Sequence, residues 1–225
     1  MIAKFGDTEI ECRDGSFDYE MVREIWGDRY YTTGGFDIPQ GAVVLDVGGC
    51  IGGFTLFAAT NGATKIHTYE PTQESYEIMI DNIRRYKGDA EIFTYPYAVT
   101  AGEREVKISG FGPTETGLVN TGLPKVGDTG VTVTGCPIVE ILEAEPFWDY
   151  VKVDIEGYEY EMFDSMSQSD FDKIGIISME FHGDDEMHAQ ASGLMLVGRL
   201  KSVGFNKVDY KWSYGNQGRI QAKKV

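Results

Sequence analysis

Four side chains that can move protons sit at the ends of two apolar runs. In Tyr150-Val151-Lys152-Val153-Asp154-Ile155-Glu156-Gly157, two acids follow a strand-like stretch, and in Ile174-Gly175-Ile176-Ile177-Ser178-Met179-Glu180-Phe181-His182 an acid and a histidine do. Acids embedded in such runs are costly unless they find partners. Alternation puts Asp154 and Glu156 on one side if the strand persists that far. Neighbouring strand ends of this kind can orient a hydroxyl and take its proton. Three carboxylates and an imidazole could also hold a divalent cation that acidifies the hydroxyl. Structural ion pairing is the favoured explanation over a metal. Capping of the next helix is an alternative role for Glu156.

A second group could hold a ligand rather than react with it. Val43-Val44-Leu45-Asp46-Val47 runs into Gly48-Gly49-Cys50-Ile51-Gly52-Gly53, and apolar residues then resume at Phe54, Phe57 and Ala58 with helical spacing. This is the pattern of a buried strand, a tight turn and a helix start. Glycines let the backbone approach a ligand, and free N–H groups at the helix start can meet its polar atoms. A dinucleotide fingerprint would want glycines at 48, 50 and 53, and Cys50 breaks it. Asp46-x-Gly48-x-Cys50-x-Gly52 resembles motif I of S-adenosylmethionine (SAM)-dependent methyltransferases with the middle glycine replaced. A turn that only lets a helix pack on a sheet is the bland alternative. Glu70 ends the next strand, Lys65 to Glu70, 22 residues after Gly48, close to the spacing of about twenty at which an acid meets ribose hydroxyls. Tyr97 and Ala98, past Pro96 at the exit of the third strand, could line the base; an ordinary strand end is the equal alternative.

The elements that must position these residues alternate strand and helix, which indicates one α/β sheet. The 225 residues fit one domain, with 1–40 as an N-terminal arm and helix packed on a body from 41 to 225. Ala3-Lys4-Phe5 and Glu9 to Cys12 read as a strand pair. Asp18 could cap a helix from Tyr19 to Trp26, and Tyr30 or Tyr31 could form a lid. His67 reads as a packed histidine and His188 as solvent-facing. Tyr76, Met79, Ile80 and Ile83 mark one helix face. Met187, Ala191, Leu194 and Leu200 suggest the buried face of another, whose first turn holds Asp184, Asp185 and Glu186. Residues 111–135, rich in Gly and Thr, read as a mobile cover near a substrate entrance with a hairpin at Val131 to Val133. A short helix begins at Ile138 to Leu142, and two final strands, Phe205 to Trp212 and Arg219 to Lys223, flank a glycine turn.

Composition excludes several function classes. The formal net charge is −16, so a phosphate-backbone binder, which needs a basic face, is disfavoured. No apolar run approaches the length of a membrane span. The three cysteines, Cys12, Cys50 and Cys136, show no zinc or redox spacing and read as reduced thiols. The first residues lack the apolar region of a signal peptide, so a cytoplasmic location is expected.

Taken together, four segments in order resemble the FkbM-type methyltransferases: Val44 to Gly52, Tyr69-Glu70-Pro71, Val151 to Glu159 and Ser178 to His182. The third is the most specific, because Lys-x-Asp-x-Glu-Gly-x-Glu looks like a family hallmark. Cys50 departs from the family's glycine or asparagine, and Glu140 stands where an aspartate is frequent. The resemblance implies a class I methyltransferase fold, α/β and Rossmann-like, with a seven-stranded, mostly parallel sheet and one antiparallel strand. It implies SAM as cofactor and S-adenosylhomocysteine (SAH) as product. Asp46 and the Gly48, Gly49 and Gly52 turn would hold the methionine part, Glu70 the ribose, and Asp154 would lie near the cofactor. Glu156 or His182, with Glu180, would serve the acceptor, a hydroxyl on a sugar or small natural product. A nicotinamide-dependent oxidoreductase and a non-catalytic SAM-binding module are the rival classes. Neither nucleic acid nor membrane is an expected partner.

Overall fold

The computed structural model describes residues 1–109, 125–127, 130–183, 186–212 and 215–225. The chain opens with a hairpin, β1 (Ile2–Phe5) and β2 (Thr8–Glu11), and a helix, α1 (Asp18–Trp26). It continues through β3 (Ala42–Val47), α2 (Gly53–Thr60), β4 (Ala63–Tyr69), α3 (Gln73–Arg85) and β5 (Glu91–Tyr95). Short strands follow: β6 (Ala98–Thr100), β7 (Glu105–Ser109), β8 (Lys125–Gly127) and β9 (Val131–Pro137). The remainder is α4 (Ile138–Ile141), β10 (Trp148–Val153), α5 (Glu159–Asp164), α6 (Gln168–Asp172), β11 (Ile174–His182), α7 (Glu186–Ser202), β12 (Lys207–Trp212) and β13 (Gln217–Lys223).

The main sheet has seven strands in the order β12-β13-β11-β10-β3-β4-β5. The five from β11 to β5 pair in parallel, and β13 runs antiparallel to both neighbours. This is the mostly parallel sheet with one antiparallel strand that the resemblance implies. The expected third strand stops at Tyr95, before Pro96, because proline cannot donate to a ladder. Ala98–Thr100 instead joins a second sheet of order β6-β9-β7-β8. Of the expected cover over 111–135, only 125–127 and 130–135 fall within the described residues. Asp184 and Asp185 also lie outside them.

Each face of the main sheet carries its own core. Leu45, Val151, Ile177 and Ala222 pack with α5, α6 and α7 residues such as Phe163, Phe171 and Leu200. Val44, Ile66 and Tyr150 pack on the other face with Phe54 and Phe57 of α2 and with Ile25 and Tyr31. Two local expectations are corrected. Helix α1 begins at Asp18 itself, after Phe17. The Asp18 carboxylate does not cap the helix but binds the backbone N–H and guanidinium of Arg13 at 2.8–2.9 Å. On α7, Met187, Ala191 and Leu194 face solvent, whereas Ala189, Leu196 and Leu200 are buried. Gly193 decides this. A Cβ there would lie 2.6 Å from the Phe181 ring, so the helix turns its smallest residue to the sheet and sits close to it.

Candidate active site

The register of the parallel strands builds the site. Val47 pairs with Tyr69 on one side and Val153 on the other, and Val153 pairs with Met179. The next residue on each strand therefore falls in one row at the carboxyl edge: Glu70, Gly48, Asp154, Glu180. Ligands bind outside this edge in open α/β sheets. Two residues back, Thr68, Asp46, Lys152, Ser178 and Gln221 form a second polar row. With a side-chain period of two, both rows face the same side, beneath the short turn Tyr30–Thr32.

The second row is dry and held by one cation. Lys152 Nζ lies 3.4 Å from Asp46 Oδ1 and 3.8 Å from Asp154 Oδ2, with Lys152 and Asp46 side chains 4% and 0% exposed. It also donates to the Gly48 carbonyl at 2.6 Å and sits 5.5 Å from the Tyr31 ring centre. Burial disfavours its charge, but Asp46 and Asp154 outweigh that and raise its pKa. Asp46 Oδ2 accepts hydrogen bonds from Thr55 and Thr68 at 2.7 and 3.4 Å. Asp46 thus lies under the glycine turn, not on the cleft wall.

The turn itself divides its glycines. Gly48 has φ +84°, and a Cβ there would lie 1.9 Å from the Asp154 carbonyl oxygen. Gly49 and Gly52 serve packing: a Cβ at either would meet Thr68 or Met79. Cys50 adopts a left-handed φ of +47°, and its N–H donates to Glu70 Oε2 at 2.9 Å. Glu70 Oε1 accepts from the Thr72 N–H and hydroxyl at 2.8 and 2.5 Å. Burial raises the Glu70 pKa against those hydrogen bonds. A cleft opens beside this turn, lined by Gly48, Tyr69, Glu70, Ala98, Asp154 and Glu156 among others. Tyr97 is partly exposed and is not on that lining, whereas Ala98 and Val99 are.

At the other end of the row, β10 ends at Val153, so Asp154 and Glu156 leave the strand before alternation could align them. Both nonetheless line the cleft, because Glu156 takes a left-handed φ of +59°. Tyr31 donates to Asp154 Oδ2 at 2.8 Å. Gln217 donates to Glu180 Oε1 at 2.7 Å, with the Tyr30 hydroxyl at 3.4 Å. His182 Nδ1 is 3.2 Å from Glu159 Oε1, and its Nε2 is 3.5 Å from Glu156 Oε2. Glu156 does not cap α5, which has no side-chain cap; Glu159, the first residue of that helix, instead accepts the N–H groups of Ile155 and Gly157 in the preceding turn at 3.0–3.2 Å.

This cluster retains protons. Burial, and then the charge of Asp154, lift Glu156 and Glu180 well above the usual carboxylate range. For His182 burial acts the other way, but the Glu159 hydrogen bond and the surrounding carboxylates prevail and push it up to about 10. A group whose pKa is higher folded than unfolded contributes stability that fades as pH rises from the unfolded to the folded value. All three groups share that sign. In chelator-treated protein the melting temperature is expected to fall steadily from pH 6.5 to 10, and Glu180→Gln should flatten the decline. A flat wild-type profile would contradict the proton-holding cluster.

Of the residues singled out by sequence, Glu70, Gly48, Asp154 and Glu156 share the cleft, and Glu180 and His182 adjoin it. Lys152, Tyr31 and Glu159 join the site in the structure. Lys152 and Glu159 stood inside the hallmark segment, so their position in it was the available signal. His67 is a packed histidine, stacked on Phe93 and Tyr95 and bonded to Glu145 at 3.2 Å.

Comparison with known proteins matches this geometry to sequence. The family model described as Methyltransferase FkbM domain matches residues 46–206. The hexuronic acid methyltransferase AglP of Haloferax volcanii is 25% identical over 183 residues, covering 78% of this chain and 73% of AglP. The 31-O-demethyl-FK506 methyltransferase FkbM of Streptomyces tacrolimicus is 29% identical over 116 residues, 48% of this chain and 44% of that protein. Among solved structures, M. capricolum TrmK in complex with SAH superposes with a TM-score of 0.51 at 11% identity, covering 88% of this chain and 66% of TrmK. That likeness is one of fold.

Proposed function

The chain belongs to the FkbM methyltransferase family, and on that premise we propose that it uses SAM to methylate a hydroxyl group of a sugar or small natural product. The observation that carries this reading is the row at the carboxyl edge. It joins a cleft, with Glu70 at one end, to a proton-handling cluster at the other. Its apolar wall of Tyr69, Ala98, Val99 and Ile108 suits an adenine face. Glu70 uses three of the roughly four acceptor positions of a carboxylate within the protein, leaving capacity for a ribose hydroxyl.

When bound, SAM supplies a methyl group already activated on a sulfonium. The protein must then align the acceptor and remove its proton. Alignment can contribute up to about 7–11 kcal/mol, and a general base about 10²–10⁴-fold. Asp154 is held in place by Tyr31 and Lys152 at the cofactor end. Glu156 or His182, facing the cleft and its rim, takes the acceptor proton once it has released the one that its surroundings make it retain. The two named relatives are described as methylating a hexuronic acid and a demethylated FK506 oxygen, and that supports an oxygen acceptor. Family membership favours methyl transfer over hydride transfer.

Calorimetry of SAM and SAH with wild type and Glu70→Ala is the direct test. Loss of a charge-assisted hydrogen bond of about 1.5–3 kcal/mol predicts roughly 10–100-fold weaker binding in the variant. Because Glu70 also braces Cys50 and Thr72, a melt of each protein must accompany the titration. Wild type that binds neither ligand would remove the SAM reading.

A further inference from the structure

Beyond methyl transfer itself, the structure points to a metal. We propose that Asp154, Glu180 and the Nε2 atom of His182 bind a divalent first-row cation at the acceptor end of the cleft. The inference rests on the reading above for the cation's purpose, not for its binding.

Three observations carry it. One ligand atom from each of these residues lies within 4.8 Å of the others. An ion bound at about 2.0–2.2 Å sets its ligands roughly 3–4 Å apart, so small side-chain adjustments close the set. The register fixes two of the three, since Val153 pairs with Met179 and Asp154 and Glu180 therefore stand side by side.

The imidazole, secondly, is prepared as a ligand. Glu159, with a side chain 0% exposed, holds Nδ1 and is itself fixed by two backbone N–H groups. That leaves Nε2 as the available nitrogen, on the side of Glu156. A carboxylate behind a histidine is the usual support of a metal-bound imidazole.

Thirdly, Asp154 Oδ1 is buried and has no hydrogen-bond partner among the described residues, although Oδ2 has Tyr31. Such an atom costs free energy unless something meets it. The carboxylates around it exceed the cations, since Lys152 is shared with Asp46. A dication would offset that imbalance. Mixed carboxylate and imidazole donors suit Mn²⁺ or a similar ion better than calcium. Asp154 and Glu156 line the cleft, so the ion would share space with the acceptor hydroxyl, lower its pKa and, as a nearby positive charge, favour the ionised Glu156 that can take the proton.

The test uses the full chain stripped with chelator and titrated with MnCl₂, following loss of the free Mn²⁺ paramagnetic resonance signal and the melting temperature. One Mn²⁺ per chain is expected, with a raised melting temperature. Glu180→Gln should abolish the bound species, and Glu159→Gln should weaken it by about 10–100-fold through the imidazole's support. If Glu159→Gln fails to fold, Asp154→Asn gives the second arm. No Mn²⁺ bound to folded wild type overturns the proposal. Binding that persists unchanged in Glu180→Gln and Asp154→Asn also overturns it, since it would report the acidic surface. SAM affinity measured in chelator keeps the two readings apart: a protein that binds SAM but takes up no Mn²⁺ in the titration loses only the metal, and one that takes up Mn²⁺ but binds no SAM loses only the cofactor.

Discussion

Gly48→Ala is expected to abolish cofactor binding and to unfold much of the protein at ambient temperature. The added Cβ would lie 1.9 Å from the carbonyl oxygen of Asp154 and 3.0 Å from its carbonyl carbon. Those atoms are backbone, so no side chain can rotate away. The φ of +84° is itself unfavourable for an L side chain, by about 1–2 kcal/mol. Relief requires β3 and β10 to part at the edge where the row of Glu70, Gly48, Asp154 and Glu180 is assembled. A loss above about 4 kcal/mol is therefore expected, in the exceptional range for one substitution, with SAM affinity reduced more than about 100-fold. Gly53→Ala is the control. It opens α2, and its nearest neighbours are the tips of Val22 and Ile25 at 3.2 and 3.4 Å, so a change within about 1 kcal/mol is expected. Thermal melts and SAM calorimetry on both variants decide the matter. A Gly48→Ala protein as stable as wild type would mean that the strands do not approach as closely as described.

The second large effect is expected at Lys152. Replacing it with methionine keeps the stem but strands Asp46, and in part Asp154, without their cation. Removing one partner of a buried pair typically costs about 3–5 kcal/mol. For a chain of this size that corresponds to a fall of about 6–20 °C in melting temperature. The loss should be partly recovered by Asp46→Asn in the same chain, because the orphaned charge disappears. Catalysis should not be recovered, since Asp154 remains without its ion pair. Recovery of both would mean that Lys152 acts on stability alone. A neutral Lys152→Met would show that Asp46 finds another partner.

Much of this protein was legible before any coordinates. The apolar runs at Val43 to Val47, Tyr150 to Val153 and Ile174 to Met179 read as buried strands from their length and flanking turns, and the structure has strands there. The spacing of Gly48 and Glu70 marked two strand ends, and the structure places both on the lining of one cleft. The acids at 154, 156 and 180 and the histidine at 182 stood out because such groups do not sit in apolar runs without cause.

Other features were decided by pairings that no local pattern encodes. The Tyr31 hydroxyl meets an Asp154 oxygen 123 residues away, and Lys152 reaches the Gly48 carbonyl 104 residues back. Only the strand register sets Glu70, Gly48, Asp154 and Glu180 in line, and only a shared face makes Asp46 the partner of Lys152. Glu156 and Glu159 are three residues apart and chemically alike, yet one faces the cleft and the other braces His182. The left-handed φ at Glu156 separates them. On α7 two apolar stripes were equally available, and the close approach of Gly193 to Phe181 chose between them. Sequence determined which segments are buried and which chemistry they carry, since burial and residue type are local properties of a pattern. The tertiary structure decided which charged group answers which, because that depends on strand register and on a face of the sheet shared by residues far apart in the chain.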